Sequence, residues 1–173
     1  MFARPKILIR QDAIYDAIDR MAEEIRRDYR GKNPLLIGIL KGSFIFMADL
    51  VRCIDINLEV DFVRLSSYGK GTQSSGKIKV LTRLAEPVKG RHIIVVEDII
   101  DTGLTTAFLI DFLKHKGAAS VRLCALTEKS SRRKVNVPID YLGFSVPDKF
   151  IVGYGIDWAE KYRCLPDIRY IED

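Results

Sequence analysis

The chain has 173 residues, 47% hydrophobic and 29% charged, with 28 Lys and Arg against 23 Asp and Glu for a net charge of +5. A chain of this size buries about 70% of its unfolded surface, which is ample for one core and too little for two. The composition excludes wholesale disorder and fibrous repeats, and no apolar run reaches the roughly 18 residues of a membrane span.

The N-terminal M-F-A-R-P-K-I-L-I-R-Q-D carries too short an apolar stretch for a secretory signal, so a single cytoplasmic domain over residues 1–173 is expected. From Asp12 to Tyr29, apolar residues recur at Ile14, Ala17, Ile18, Met21, Ala22 and Ile25, which predicts a helix capped by Asp12 and stopped at Gly31. Pro34 to Leu40 is a short continuous apolar run, the pattern of a strand buried on both faces. Ser43 reads as the cap of a second helix carrying Phe46, Met47, Leu50 and Val51, and Leu58 to Leu65 alternates as a strand does. Ser66 to Gly76 (S-S-Y-G-K-G-T-Q-S-S-G) is rich in Gly and Ser without periodicity, which suits a lid or a disordered insertion. Val80-Leu81 resumes an extended reading. Arg91 to Glu97 is a further strand, Thr102 to Lys116 a helix ending at Gly117 with Phe108, Leu109, Phe112 and Leu113 inward, and Val121 to Leu126 another strand. Short extended pieces around 141–144, 150–152 and 168–171 follow, split by prolines. This alternation predicts an α/β fold: an open, mostly parallel twisted sheet with helices on both faces.

Cys53, Cys124 and Cys164 form no C-x-x-C pair and read as ordinary packed side chains rather than disulfide or zinc ligands. His92 and His115 sit near element ends, where a Ser-His-Asp or Cys-His site has little support. The charge lacks a long basic block, Arg132-Arg133-Lys134 being only a short cluster, so small anionic ligands account for it as well as nucleic acid does.

Ligands of open α/β sheets bind beyond the carboxyl ends of the strands, which directs attention to V-V-E-D-I-I-D-T-G-L-T-T at 95–106. Asp101, Thr102, Gly103, Leu104, Thr105 and Thr106 combine a glycine, three hydroxyls and a helix N-terminus, whose free N–H groups and dipole suit a phosphate monoester. Glu97 and Asp98 add two carboxylates that can accept from a sugar diol or hold Mg²⁺. Taken alone, the run also fits a capped helix after a buried strand. No G-x-x-x-x-G-K-[ST] or G-x-G-x-x-G phosphate signature is present.

The run resembles the phosphoribosyl-pyrophosphate motif of type I phosphoribosyltransferases, in which two acids precede D-T-G-x-T. Other matches point to the hypoxanthine–guanine phosphoribosyltransferases. Leu40-Lys41-Gly42-Ser43 is similar to their pyrophosphate loop, Ser66-Ser67-Tyr68-Gly69 to the start of their mobile lid, Lys129 to their purine-contacting lysine, and 146–157 (V-P-D-K-F-I-V-G-Y-G-I-D) to their purine segment, with Arg163 following. The resemblance spans the chain from about Asn33 onward.

It implies transfer of a 5-phosphoribosyl group from 5-phosphoribosyl-1-pyrophosphate to a 6-oxopurine, Mg²⁺ as cofactor, a small hood at 146–173 with a lid over 66–76, and a homodimer or homotetramer. By the same resemblance, residues 97, 98 and 101–106 hold the phosphoribosyl group, with Asp101 as general acid/base at purine N7. Lys41, Gly42 and Arg163 meet pyrophosphate, Lys129, Phe150, Ile151 and Asp157 choose the base, and Glu97, Asp98 and Asp157 are the candidate metal ligands. Outside that resemblance Lys41 also fits a solvated lysine, Asp101 an N-cap and Phe150 a core aromatic. Two alternatives share the 95–106 run: a regulator that senses the sugar donor and binds nucleic acid, and a xanthine-preferring enzyme. Lys129 and the 146–157 segment favour the enzyme over the regulator, with no membrane partner and nucleic acid disfavoured, while Thr106 and Gly155, where apolar residues would also fit, leave xanthine use open.

Overall fold

The computed structural model describes residues 5–68 and 77–172. In chain order the elements are β1 (Lys6–Ile9), α1 (Gln11–Tyr29), β2 (Leu35–Leu40), α2 (Phe44–Ile54), β3 (Glu59–Tyr68), β4 (Lys77–Val80), β5 (His92–Ile100), α3 (Leu104–His115), β6 (Ser120–Glu128), β7 (Tyr141–Ser145), β8 (Phe150–Val152) and β9 (Ile168–Ile171). Six strands form one sheet in the order β4-β3-β2-β5-β6-β7, parallel except where β4 turns back on β3.

The apolar runs lie at the centre of this sheet because both of their faces are covered. Leu36, Ile94, Val96, Cys124 and Leu126 pack under α1 and α2, while Leu35, Ile37, Ile93, Val95, Leu123 and Ala125 pack under α3 on the opposite side. Successive residues of one strand therefore feed two cores, the outcome that period-two alternation demands of a doubly covered sheet. Helix α1 contributes Ile14, Ile18, Met21, Ala22 and Ile25 to the first core. Within the described residues no helix is long and apolar enough to cross a membrane.

Several local expectations change. Helix α1 starts at Gln11 with Arg10 as its cap residue, so Asp12 lies within the first turn, where its Oδ1 accepts from Ala13 N–H at 2.9 Å. Ser43 precedes α2, yet its hydroxyl donates back to Ile39 O at 2.7 Å instead of capping the helix. Phe108 and Phe112 are only half-buried and stack on each other, with ring centres 6.4 Å apart, whereas Leu109 and Leu113 fill the core. Residues 66–68 finish strand β3 and pair with β4, Ser66 opposite Lys79 and Tyr68 opposite Lys77, so this part of the expected lid is the root of a hairpin. Gly69 and the rest of the lid expectation, to Gly76, lie outside the described residues.

A second sheet, β1-β9-β8, is wholly antiparallel and joins the start of the chain to its last strand. It includes the strands of the expected hood, and its Ile9, Ile151 and Ile168 join the core under α1 and α2. Strand β1 was not anticipated: four residues carry little periodic signal, and their partner lies more than 150 positions away.

Candidate active site

Strand β5 runs on through the two acids and ends at Ile100, and the chain then turns into α3 at Gly103. Gly103 has φ +81 and occupies the cap position, a left-handed conformation that glycine adopts without a side-chain penalty. The helix thus begins at Leu104, not Thr102, and Thr102 Oγ1 accepts weakly from Leu104 N–H at 3.4 Å. Thr102 O accepts from Lys134 N–H at 2.9 Å, tethering the turn to the segment after β6. A small cleft of about 150 Å³ opens here, lined by Glu97, Asp101, Thr102, Gly103, Thr105 and Thr106. Helix-start N–H groups, hydroxyls and a positive dipole end around such a space make an anion cradle.

Glu97 and Asp98 are both buried, at 8% and 7% exposure. Burial, and then the adjoining Asp98 carboxyl, push Glu97 well above the usual carboxyl range. Asp98 is raised mainly by burial. Neither has a salt-bridge partner among the described residues. The Arg163 charge partly opposes the rise of Asp98, and a buried carboxyl pair at such a cleft suits a divalent ion or sugar hydroxyls. The described residues gather no cluster of three His, Cys, Asp or Glu.

Across from the acids, β2 ends at the loop 40–43, where the Leu40–Lys41 peptide is cis. A Cβ on Gly42 would fall 2.0 Å from Asp98 Oδ2, and one on Gly155 would fall 2.2 Å from Gly42 O. Asp98, Gly42 and Gly155 are therefore stacked so closely that only glycines fit the two backbone layers. Tyr154, beside Gly155, donates its hydroxyl to Asp49 of α2. Arg163 donates from Nη1 to Gly155 O at 2.8 Å, and its Nη2 lies 3.0 Å from Asp157 Oδ1. Lys41 Nζ lies 3.0 Å from Glu160 Oε2. Asp157 Oδ2 accepts from Glu160 N–H at 2.8 Å, so both oxygens of this metal candidate already have partners.

A second hollow, about 410 Å³, is lined by Lys129, Arg132, Asp148, Phe150, Tyr170 and their neighbours. Phe150 is half-exposed, with its ring 6.0 Å from that of Trp158 in an edge-to-face contact. Ile151 is buried in β8, which leaves its backbone as the polar feature there. Lys129 is 7% exposed, and its Nζ stands 3.8 Å from Asp148 Oδ1. Arg132 joins the two clefts: its Nη1 lies 3.5 Å from Asp148 Oδ1 and its Nε 2.8 Å from Asp101 Oδ1, the latter an ion pair without hydrogen-bond alignment. A charge chain Asp101–Arg132–Asp148–Lys129 thus runs from the anion cradle to the aromatic hollow. Two larger hollows, about 550 Å³ along the arginines of α1 and about 960 Å³ beneath residues 80–89, carry none of these loops.

Of the expected site residues, Glu97, Asp101, Thr102, Gly103, Thr105 and Thr106 line the small cleft, Lys129 and Phe150 line the larger hollow, Gly42 packs on Asp98, and Ser66, Ser67 and Tyr68 belong to the β3–β4 ladder. Arg132, Asp148 and Glu160 were missed. Each is a charged residue in an irregular segment, and nothing local in the sequence marks it, although Asp148 lies inside the 146–157 run that had been singled out.

A family model described as the phosphoribosyl transferase domain matches residues 7–158. The hypoxanthine-guanine phosphoribosyltransferase of Streptococcus pneumoniae (strain ATCC BAA-255 / R6) is 46% identical over 168 residues, covering 97% of this chain and 93% of that protein. The bifunctional protein TilS/HprT of Listeria monocytogenes serotype 4b (strain F2365) is 47% identical over 163 residues, and the chain spans 25% of its length. The crystal structure of a hypoxanthine-guanine phosphoribosyltransferase from Bacillus anthracis superposes with a TM-score of 0.93 at 44% identity, covering 98% of this chain and all of that one.

Proposed function

Because this chain belongs to the phosphoribosyl transferase family, among its hypoxanthine–guanine phosphoribosyltransferases, we propose that it moves the 5-phosphoribosyl group of 5-phosphoribosyl-1-pyrophosphate onto hypoxanthine or guanine. The carrying observation is the charge chain from Asp101 to Lys129, which sets an acid between an anion cradle and an aromatic-lined hollow. In the reaction the bond from ribose C1 to the pyrophosphate oxygen breaks and a bond from C1 to purine N9 forms, so positive charge grows on the sugar while negative charge leaves with pyrophosphate.

Each pole has residues suited to it. The amides and hydroxyls of 102–106 hold the 5-phosphate, while Glu97 and Asp98 hold the ribose hydroxyls and favour the positive sugar. Lys41, the Gly42 amide and Arg163 meet the departing pyrophosphate. Magnesium, when bound with the donor, neutralises part of that charge, and Glu97 and Asp98 are the residues that would hold it; Asp157 joins them only by loosening Arg163. Asp101 takes the proton released from the purine at N7 as the new bond forms. Lys129 donates to O6. Adenine offers an amino group at that position, which would leave both donors unpaired. Phe150 stacks on the ring and the Ile151 backbone pairs with its edge.

Turnover of hypoxanthine, guanine, xanthine and adenine, each with donor and with or without magnesium, tests this reading. Nucleotide formation from hypoxanthine and guanine but not adenine, with magnesium required, is expected. No turnover of any 6-oxopurine overturns it.

A further inference from the structure

The two cations assigned to pyrophosphate already have a carboxylate partner within the chain. Glu160 Oε2 lies 3.0 Å from Lys41 Nζ and 3.3 Å from Arg163 Nη2, so a single carboxylate oxygen bridges both. Lys41 comes from the end of β2, whereas Glu160 and Arg163 come from the long connection between β8 and β9. The ion pairs therefore tie two separate parts of the fold across the place where a leaving anion would sit.

The turn that presents Glu160 is strained. Ala159, Glu160 and Tyr162 have φ of 51°, 62° and 73°, left-handed values that side-chain-bearing residues rarely take. Its surroundings hold it there: Glu160 N–H donates to Asp157 Oδ2 at 2.8 Å, Trp158 and Lys161 exchange backbone hydrogen bonds at 3.1 and 3.0 Å, and the rings of Trp158 and Tyr162 stack with centres 6.5 Å apart. Such strain persists where the neighbourhood over-determines the backbone, and here it delivers one carboxylate between two cations. The Glu160 side chain is 64% exposed, so nothing packs over it and it is free to swing away. Arg163 keeps Gly155 O at 2.8 Å and Asp157 Oδ1 at 3.0 Å when it does, and stays aimed at the subsite.

Resting on the donor reading above, we infer that Glu160 is an internal counter-anion of the pyrophosphate subsite, neutralising Lys41 and Arg163 when no ligand phosphate is present and yielding to pyrophosphate on binding. The carboxylate competes with the ligand for the same two cations. It weakens donor and pyrophosphate binding relative to bare cations, and it re-covers those cations as the product leaves. No bond is made or broken; one anion replaces another.

Calorimetric titration of inorganic pyrophosphate, with magnesium present, into the wild-type protein and Glu160→Gln tests the inference. Exposed ion pairs are weak, so the variant should bind pyrophosphate about 2–5-fold more tightly. The KM for donor should fall by a similar factor while the KM for hypoxanthine stays unchanged, a split that a general structural defect would not produce. Glu160→Asn accepts the left-handed backbone more readily and should show the same gain, which supplies a folded reference should the glutamine variant be unstable. Equal or weaker pyrophosphate binding by a folded charge-removed variant, with the wild type still binding, overturns the counter-anion role alone. Absence of heat with every protein removes the donor reading and this inference together.

Discussion

Glu97 holds a proton more readily in the folded chain than in the unfolded one, since burial and Asp98 both oppose its charge. The sign of the linkage follows. A carboxyl raised on folding leaves stability greatest below its unfolded pKa and lowers it progressively as pH climbs toward the folded value. Glu97→Gln removes that penalty, so the ligand-free variant should melt about 2–4 °C higher at neutral pH, a difference that thermal scans should find vanishing near pH 4. On the role proposed for Glu97 at the ribose, the same variant should also bind donor more weakly. Asp101 is a different kind of acid: exposed in part, it faces Arg132 across 2.8 Å. Asp101→Asn should lower kcat by about 10²–10⁴-fold with small changes in either KM, as loss of a positioned proton acceptor does. Stopped-time assays under saturating substrates would expose a retained kcat and refute that role.

Among the elements, the loop between β2 and α2 is the most tightly constrained. Gly42→Ala would drive a methyl into the Asp98 carboxyl, 2.0 Å away, and the loop or the acid must move. Overpacking of this kind is worth about 1–3 kcal/mol, so kcat/KM for the donor should fall by about tenfold or more, with the melting temperature as the companion reading. Gly31→Ala is the matched control: at φ +77 with no heavy atom within 4 Å of the added carbon, it should weaken folding without touching catalysis. The strands of the main sheet were legible because Leu35–Leu40 and His92–Val96 are apolar on both faces, and α1 because its buried residues keep helical spacing. The anion cradle was legible too, since a glycine and hydroxyls at a strand-to-helix turn carry chemistry in their order. The ties between loops were not. That Gly42 seats on Asp98, or that Arg132 spans Asp101 and Asp148, depends on how distant segments converge, and no periodicity encodes it.

At the level of the whole molecule, two cores flank one sheet, and the hood is built from both ends of the chain. Strand β1 pairs Lys6 with Tyr170 and Ile7 with Arg169, and so covers one edge of β9, whose other edge carries β8, the strand proposed to meet the purine. Removal of the residues up to Ile9 leaves β9 as an open edge. Such a truncation should raise the KM for hypoxanthine more than that for the donor, and sedimentation should reveal new self-association; equal effects on both substrates would argue that the hood acts on the site only through general stability.

The pairing of first strand with last also bears on how this catalyst can be carried. Lys6 Nζ and Glu172 Oε1 meet at 2.7 Å, so the first and last described strands lie side by side. A short peptide bridge could seal that gap and the backbone could be reopened elsewhere, giving a circular permutant with the same sheet and the same clefts. By the same geometry, the whole unit could be spliced into a surface loop of an unrelated host and hang from it as a pendant.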